Sequence, residues 1–273
     1  MNPEWLIAAP LFDDVTVDTF DEAQDVINYL EEKKVEYISL LDADAIEGKV
    51  TSVLTEFPKC NFGHWDHGSP DAVWGDDDKP IVSMSNVGIL RNRDCYNSNC
   101  SSAEVLGKEV WKLGGVYWGS TDIVSYTRNA LEEFKEAFNY GFKRRIDGFS
   151  WAECLKMTKA RMTELADALV AAGKTLAGAC MREDRDILVC YTVDSPPQPD
   201  STWCPARKLA VKFANRAGWF ISRRFAVGAV LQISGMVLTP RSCWLGLTLT
   251  ISGFLLIISD TITWIKKQVE GLR

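Results

Sequence analysis

Short apolar runs alternate with helical patterns along the N-terminal part of the chain, and this alternation is what most restricts its fold. The runs "WLIAAPLF", "VEYISLLD", "CNFGHW", "DCYNSNC" and "VYWGST" are typical of strands. The segments between them carry apolar residues at helical spacing, as Phe20, Ala23, Val26, Ile27 and Leu30 do. Strands separated by helices pack as a largely parallel sheet. The sequence therefore predicts an α/β domain.

The rest of this domain continues the pattern. The segment after "DCYNSNC" predicts a helix that Ser101 or Ser102 caps and that Gly114-Gly115 ends. Two longer helices are expected over 128–145 and 150–172, followed by a last strand in "DILVCYT". The stretch "DSPPQPDS", residues 194–201, then reads as a linker, because its prolines continue neither a helix nor a central strand.

Beyond the linker the composition changes. The runs 225–238 and 243–259 are uncharged and apolar, and the second can extend to Ile265. Basic residues precede the first run and follow the second, which favours a transmembrane hairpin over the alternative, a buried hairpin in a soluble domain. The positive-inside rule puts both termini in the cytoplasm, so a multi-pass protein of the cell inner membrane is expected.

Four parts of the chain follow from these patterns. They are an α/β domain (1–193), a Pro-rich linker with a basic juxtamembrane segment (194–224), two transmembrane helices (225–265) and a basic cytoplasmic tail (266–273).

Composition narrows the function classes. A net charge of −7 disfavours nucleic acid as the partner, because phosphate recognition needs a basic surface. The eight cysteines form no CxxC pair, so a structural zinc site is not expected. The start "MNPEWLIAAP" does not have the pattern of a signal peptide, which suggests a reducing cytoplasm and free thiols.

Both histidines of the chain, His64 and His67, lie in "FGHWDHGSPDAVWG". The run from Phe62 to His67 differs by one residue from the HxHxDH run of metallo-β-lactamase-like hydrolases. Those sites need further histidines, and this chain has none. We therefore expect neither a metal nor a cofactor, and interpret His64 as structural and Asp66 as a group that caps the turn or orients a neighbour.

The other interpretation of this stretch is half of a catalytic dyad. His67-Gly68 follows a predicted strand, and Cys100 ends a later one, so both are expected at the carboxyl edge of one parallel sheet. A thiol at a helix N-terminus beside a histidine has a lowered pKa. Cys95 is the alternative nucleophile, but Cys100 is favoured because it stands where the predicted strand meets the predicted helix.

These motifs resemble those of the caspase-like cysteine peptidases. "HGSPDAVWG" is similar to the pattern around the catalytic histidine of gingipains and CHAT proteases, and "NCSSAEVLGKEVWKLGGVYWGSTD" resembles the Cys–helix–strand unit of CHAT-like members. The resemblance implies a three-layer αβα fold and a Cys-His dyad of Cys100 and His67. It also implies an oxyanion hole from the amides of Gly68 and Cys100. Ser98, and more weakly Asp122, would line the substrate pocket.

The resemblance and the apolar runs together predict a membrane-anchored cysteine endopeptidase that cleaves cytoplasmic proteins, in a bacterial antiviral defence or cell-death system. Its expected partners are a protein or peptide substrate, the lipid bilayer, and a second copy or a regulatory protein. The alternative is a non-proteolytic membrane effector. In that case the caspase-like domain senses or oligomerises, and the helical hairpin perturbs the membrane.

Overall fold

The computed structural model describes residues 2–76 and 79–198. All elements given below belong to one compact unit, Met1–Pro197. The strands are β1 (Trp5–Ala9), β2 (Tyr37–Leu41), β3 (Asn61–Trp65), β4 (Gly68–Ser69), β5 (Ala72–Trp74), β6 (Pro80–Ser83), β7 (Asp94–Ser98), β8 (Val116–Ser120) and β9 (Leu188–Tyr191). The helices are α1 (Asp14–Lys33), α2 (Glu47–Glu56), α3 (Leu106–Lys112), α4 (Leu131–Ile146), α5 (Trp151–Ala171) and α6 (Thr175–Ile187).

The main sheet has six strands in the order β2-β1-β3-β7-β8-β9. All its pairs are parallel except the last, in which β9 runs antiparallel to β8. The predicted α/β class with a mostly parallel sheet is therefore confirmed. Since β1, β3, β7 and β8 point the same way, the segments that follow them meet at one edge.

Helices cover both faces of this sheet, as the alternation of side chains on β1 illustrates. Trp5 and Ile7 pack with residues of α1, α4, α5 and α6 in one core, while Leu6 and Ala8 pack with residues of α2 and α3 in the other. Every residue of β1 is buried, because it is a central strand with helices on both sides. The architecture is compatible with a three-layer αβα domain.

A small antiparallel sheet, β4-β5-β6, follows β3 directly. Its Val73, Ile81 and Val82 are fully buried and belong to the same core as α2 and α3. The sequence patterns did not predict this sheet, because its strands have only two to four residues and show too little alternation. It matters for the site because it begins at Gly68.

Two helix predictions need correction. The helix after Cys100 begins at Leu106, not at Ser101 or Ser102, and Val105 precedes it without a side-chain cap. The intervening segment is held by tertiary hydrogen bonds, from the Ser101 amide to Asp122 O (2.9 Å) and from the Ala103 amide to Ser120 O (3.0 Å). In addition, α6 was not predicted before the last strand.

No helix in the described ranges is long and apolar enough to cross a membrane. The predicted transmembrane runs 225–238 and 243–259, and most of the linker and basic segment, lie outside the described residues.

Candidate active site at the carboxyl edge of the sheet

Four strand ends bring the predicted dyad into one region. His67 follows β3 and Cys100 follows β7, and these two strands are direct parallel neighbours that pair Trp65 with Ser98. The segment after β1 contributes Asp13, and the segment after β8 contributes Val124. The expectation that His67 and Cys100 share one edge of the sheet is thus met by the strand order.

Gly68 is where the two strand ends touch. A methyl group on its Cα would lie 2.5 Å from the carbonyl oxygen of Cys100 and 2.8 Å from Oδ1 of Asn99. Neither contact is tolerable, and the first is with backbone, which cannot swing away. A glycine after His67 is therefore required for the histidine-bearing loop to approach Cys100 this closely.

His67 is held by a carboxylate. Its Nε2 lies 2.9 Å from Oδ2 of Asp13, and its ring centroid lies 5.9 Å from that of Phe12. Because a carboxylate only accepts, this bond puts the proton of a neutral imidazole on Nε2 and leaves Nδ1 as the basic nitrogen. Both partners are partly exposed, with 37% and 42% of their side-chain surfaces accessible.

Asp13 has a second role as the N-cap of α1. Its Oδ1 accepts the amides of Val15 (2.9 Å) and Thr16 (2.8 Å) within a capping box, which leaves Oδ2 for His67. Partial burial opposes ionisation, but the hydrogen bonds from Thr16 and His67 outweigh it, and the pKa of Asp13 is lowered. Sequence reasoning missed Asp13, although an Asp-x-x-Thr cap four residues after the end of a buried strand was a usable signal.

Cys100 is half-buried, and its Sγ faces the carbonyl oxygen of Val124 at 3.9 Å. Burial raises the pKa of this thiol, and the carboxyl groups of Asp184 and Asp122 raise it further. The expectation of a pKa lowered by a helix N-terminus is wrong, because α3 starts six residues downstream. In this arrangement Cys100 is a thiol at neutral pH, and no hydrogen bond joins it to the described His67 side chain.

Backbone amides near Cys100 are available as donors. The amide of Cys100 has no acceptor among the described residues. The Trp74 amide donates to His67 O (3.2 Å), one residue before the β4–β5 ladder begins. The next pair, Gly68–Val73, is then non-hydrogen-bonded, so the Gly68 amide points away from β5. The residue after Cys100, Ser101, has a left-handed φ of 57°, a strained conformation for a non-glycine residue.

His64 belongs to a buried network. It is fully inaccessible, its Nε2 lies 2.8 Å from Trp74 O, and its Nδ1 lies 3.0 Å from Asn99 Nδ2. Because the carbonyl only accepts, Nε2 carries the proton and Nδ1 accepts from Asn99. Oδ1 of Asn99 in turn accepts the Ser102 hydroxyl. We call these three side chains the His64 network, and Asp13, His67, Gly68 and Cys100 the open edge.

The His64 network fixes the segment that carries Cys100. Burial lowers the pKa of His64 to about 4, so the ring is neutral at neutral pH and both nitrogens are occupied by hydrogen bonds. These hydrogen bonds define the structural role predicted for His64. It orients Asn99, which directly precedes Cys100.

Three further residues singled out in the sequence are Cys95, Asp66 and Ser98. Cys95 lies inside β7, is fully buried, and has a pKa raised far above its ordinary value by that burial. Asp66 is also buried. Ser98 ends β7 and donates its hydroxyl to Oε2 of Glu22 (3.1 Å), a buried group whose pKa burial raises to about 8.

A small cleft, with room for little more than one water molecule, lies under the ends of β7 and β8 next to Asn99. It is lined by Ser98 and Asn99 on one side, by Val124 on another, and by Asp184 of α6. Asp122 is not among its lining residues, although its carbonyl holds Ser101. Sequence reasoning missed Asp184, but an acid in register with Ala177 and Met181 on the buried face of a helix was a signal.

No cluster of three or more metal-ligating side chains occurs within residues 2–76 and 79–198. No protein-family model, curated protein or solved structure matches this chain. The chemistry of the site itself must therefore support any functional assignment.

Proposed function

We propose that the domain described here is a cysteine endopeptidase of the caspase-like type, with Cys100 as nucleophile and His67 as general base. One observation carries the proposal. His67-Gly68 and Cys100 follow adjacent parallel strands, and the backbones of Gly68 and Cys100 touch at a contact that only glycine permits. The pairing of a thiol, an oriented imidazole and free amides is the set of groups that acyl transfer needs.

The reaction proceeds in two steps. Nδ1 of His67 takes the proton of Cys100, and the thiolate forms an S–C bond with the scissile carbonyl carbon. The amides of Gly68 and Cys100 donate to the oxyanion. His67 then protonates the leaving amine as the C–N bond breaks. Water attacks the resulting thioester and gives a proton to His67, which passes it to the sulfur as the S–C bond breaks, so the carboxylic acid and the free thiol are released.

Asp13 supports this chemistry by holding His67 in one tautomer. With the proton of neutral His67 fixed on Nε2, the lone pair of Nδ1 is available for the thiol. The raised pKa of Cys100 makes this base necessary, because the thiol does not ionise on its own at neutral pH. His67 must therefore come within hydrogen-bond reach of Sγ when substrate binds, as catalytic hydrogen bonds often do only in the complex.

We further propose that the apolar runs 225–238 and 243–259 anchor this domain to a membrane with the active site facing the cytoplasm, on the hairpin pattern of the sequence. Proteolysis beside a membrane suits a defence or cell-death effector, which is a proposal from family resemblance.

The thiol itself gives the test. Cys100→Ala should abolish peptide cleavage, a loss of at least about 10³-fold, and should abolish labelling by a thiol-reactive peptidyl probe. Cys180→Ala is the matched control, since Cys180 is also half-buried but lies on α6. A Cys100→Ala protein that still cleaves contradicts the proposal.

A second candidate is the non-proteolytic membrane effector. It is favoured by the raised pKa of Cys100 and by the engagement of His67 with Asp13 rather than with the thiol. Leakage of vesicles or cellular toxicity that persists in a Cys100→Ala, His67→Ala double variant supports this candidate over the peptidase.

A further inference from the structure

The segment that follows β8 passes directly beside Cys100. Residues 121–127 form neither helix nor strand, and they connect β8 with the 3₁₀ turn Arg128–Ala130. Sγ of Cys100 lies 3.9 Å from the carbonyl oxygen of Val124 in this segment, so the thiol donates its proton there. The Ser101 amide bonds to Asp122 O at 2.9 Å on the same segment. We call residues 121–127 the strap.

The strap and His67 approach the thiol from opposite sides. In the sheet, β7 lies between β3 and β8, so the His67 segment and the strap flank the segment that carries Cys100. A thiol has one proton and can donate it to only one acceptor at a time. While the proton is directed at Val124 O, it is not available to Nδ1 of His67. The strap therefore competes with the proposed base.

Two acidic side chains hold the strap in this position. The Ser125 amide donates to Oδ1 of Asp184 on α6 at 2.9 Å, and Asp184 is only 2% exposed. The Tyr126 hydroxyl donates to Oδ2 of Asp18 on α1 at 3.0 Å. Burial, together with the hydrogen bond to Asp18, raises the pKa of Tyr126, so its hydroxyl remains a donor at neutral pH. We call the Tyr126–Asp18 hydrogen bond the latch.

The same end of α1 holds the strap and the proposed base. Asp13, the N-cap of this helix, binds Nε2 of His67, and Asp18 follows in the second turn. Arg128, directly after the strap, pairs with Asp14 at 3.2 Å on the surface. The first two turns of α1 thus maintain the arrangement in which the thiol faces the strap and not the imidazole.

We propose that the strap is an autoinhibitory element, which directs the Cys100 thiol away from His67 and must be displaced before the thiol can react. The inference rests on the proposed function where it concerns cleavage, but the covering of the thiol does not depend on catalysis. A reagent or peptide reaches Cys100 only in the open state, so its apparent affinity or rate is reduced by the fraction of molecules in that state. Weakening the latch raises that fraction.

The reactivity of the thiol tests the latch. Tyr126→Phe removes only the hydroxyl, and the ring keeps its packing against Phe134. In the full-length chain at fixed pH, N-ethylmaleimide should alkylate Cys100 about tenfold faster in this variant, because a hydrogen bond to a carboxylate is lost. Peptide mapping by mass spectrometry gives the rate at each cysteine. The rate at Cys180, which is also half-buried but lies on α6, should stay unchanged.

Two further variants localise the effect. Asp18→Ala breaks the latch from the other side, so the double variant Tyr126→Phe, Asp18→Ala should react at Cys100 no faster than the faster single variant. Tyr140→Phe is the matched control, because Tyr140 lies on α4 and packs against Arg144. It should leave the rate at Cys100 unchanged.

The outcomes separate the strap from the proposed function. A wild-type rate at Cys100 in Tyr126→Phe, an equal acceleration at Cys180, or additive effects in the double variant overturn the strap even if the wild-type protein cleaves peptides. Faster alkylation of Cys100 alone sustains the strap even if no variant cleaves peptides, in which case the peptidase assignment fails. If both hold, Tyr126→Phe should raise kcat/KM for peptide cleavage by a similar factor.

Discussion

The His64 network and the open edge each contain one histidine from the end of β3, and the two histidines are only three residues apart. The two regions nevertheless differ in burial and in hydrogen bonding. His64, Asn99 and Ser102 are buried and joined by hydrogen bonds. His67 keeps 37% of its side-chain surface and has a single carboxylate partner. In the His64 network, the side chains are immobilised by hydrogen bonds, which fix the backbone before Cys100. The open edge keeps the freedom that a base needs to approach a thiol and a substrate.

The contrast shows that orienting the loop and accepting a proton call for different environments of the imidazole. A buried imidazole whose two nitrogens are both occupied can orient a loop but cannot accept a proton at neutral pH. An exposed imidazole with one nitrogen free can accept a proton but cannot hold the fold together. We therefore expect substitution of His67 to lower activity and substitution of His64 to lower stability.

The largest effect is expected at His67. His67→Ala should lower kcat/KM for peptide cleavage by about 10²–10⁴-fold, because the proposed general base is lost. The free energy of unfolding should change by less than about 1 kcal/mol, since the hydrogen bond with Asp13 is partly exposed. Steady-state kinetics and urea denaturation check the two numbers.

A His67→Ala protein with unchanged kcat/KM would show that His67 is not the base. The proposed catalytic role of the open edge would then be wrong.

The next effect concerns stability and pH at His64. Its folded-state pKa, about 4, lies below the ordinary value of 6.5. The unfolded chain therefore takes up the proton first, so the stabilisation is complete above pH 6.5 and is lost as the pH falls through 6.5 towards 4. The loss should reach on the order of 3 kcal/mol.

On lowering the pH from 7 to 4, urea denaturation should show the His64 loss as a difference between the wild type and His64→Leu, because groups such as Glu22 titrate over the same range in both proteins. The variant should also be less stable at pH 7 by about 1–3 kcal/mol, because Asn99 and the Trp74 carbonyl lose their partner. If the slope with pH is the same in both proteins, His64 is not the buried neutral group described here.

Gly68→Ala tests the junction of the two regions. The new methyl group would clash with the carbonyl oxygen of Cys100 and with Asn99, so it should push the His67 loop away from Cys100. We expect a loss of about tenfold to 10²-fold in kcat/KM, together with lower stability. Gly48→Ala is the matched control, because nothing lies within 4 Å of its added carbon, and it should be neutral or slightly stabilising.

Equal behaviour of the two alanine variants, in both kinetics and thermal unfolding, would mean that the approach of Gly68 to Cys100 has no functional weight.

The smallest effect is expected at Asp13. In Asp13→Asn the side-chain oxygen can keep the cap of α1, since Asn caps about as well as Asp. The amide nitrogen then faces His67 and favours the tautomer with its proton on Nδ1, which lowers kcat/KM by about tenfold. Asp14→Asn is the control, because Asp14 neighbours Asp13 but pairs with Arg128 at the surface.

A change in the pH profile of kcat/KM in Asp13→Asn alone identifies the effect as one on His67. Equal profiles in the two variants would reduce Asp13 to a helix cap.

Much of the fold was available from local patterns. The strands from β1 to β3 and β7 to β9, and the helices α1, α2, α4 and α5, follow from apolar runs and helical spacing that a short window already contains. The same patterns give the parallel sheet, and with it the meeting of His67 and Cys100 at one edge. These features depend on the burial of apolar side chains, which the sequence encodes residue by residue.

The features that the local patterns did not predict depend on contacts between segments distant in the sequence. The start of α3 differs from the prediction because Ala103 bonds to the end of β8, and Ser101 to Asp122 just beyond it, rather than within a helix. The raised pKa of Cys100 follows from burial against that same segment. Asp13 meets His67 across 54 residues, and Asp184 meets Ser125 across 59.

The sequence by itself determined the class of the sheet, the joint position of His67 and Cys100, and the glycine that lets them approach. Only the tertiary structure decided that His64 orients Asn99, that Asp13 orients His67, and that the cleft holds Asp184 rather than Asp122. The physical reason is range. Hydrophobic periodicity is a local property of the chain, whereas hydrogen bonding and desolvation of a polar group depend on whichever segments the fold packs around it.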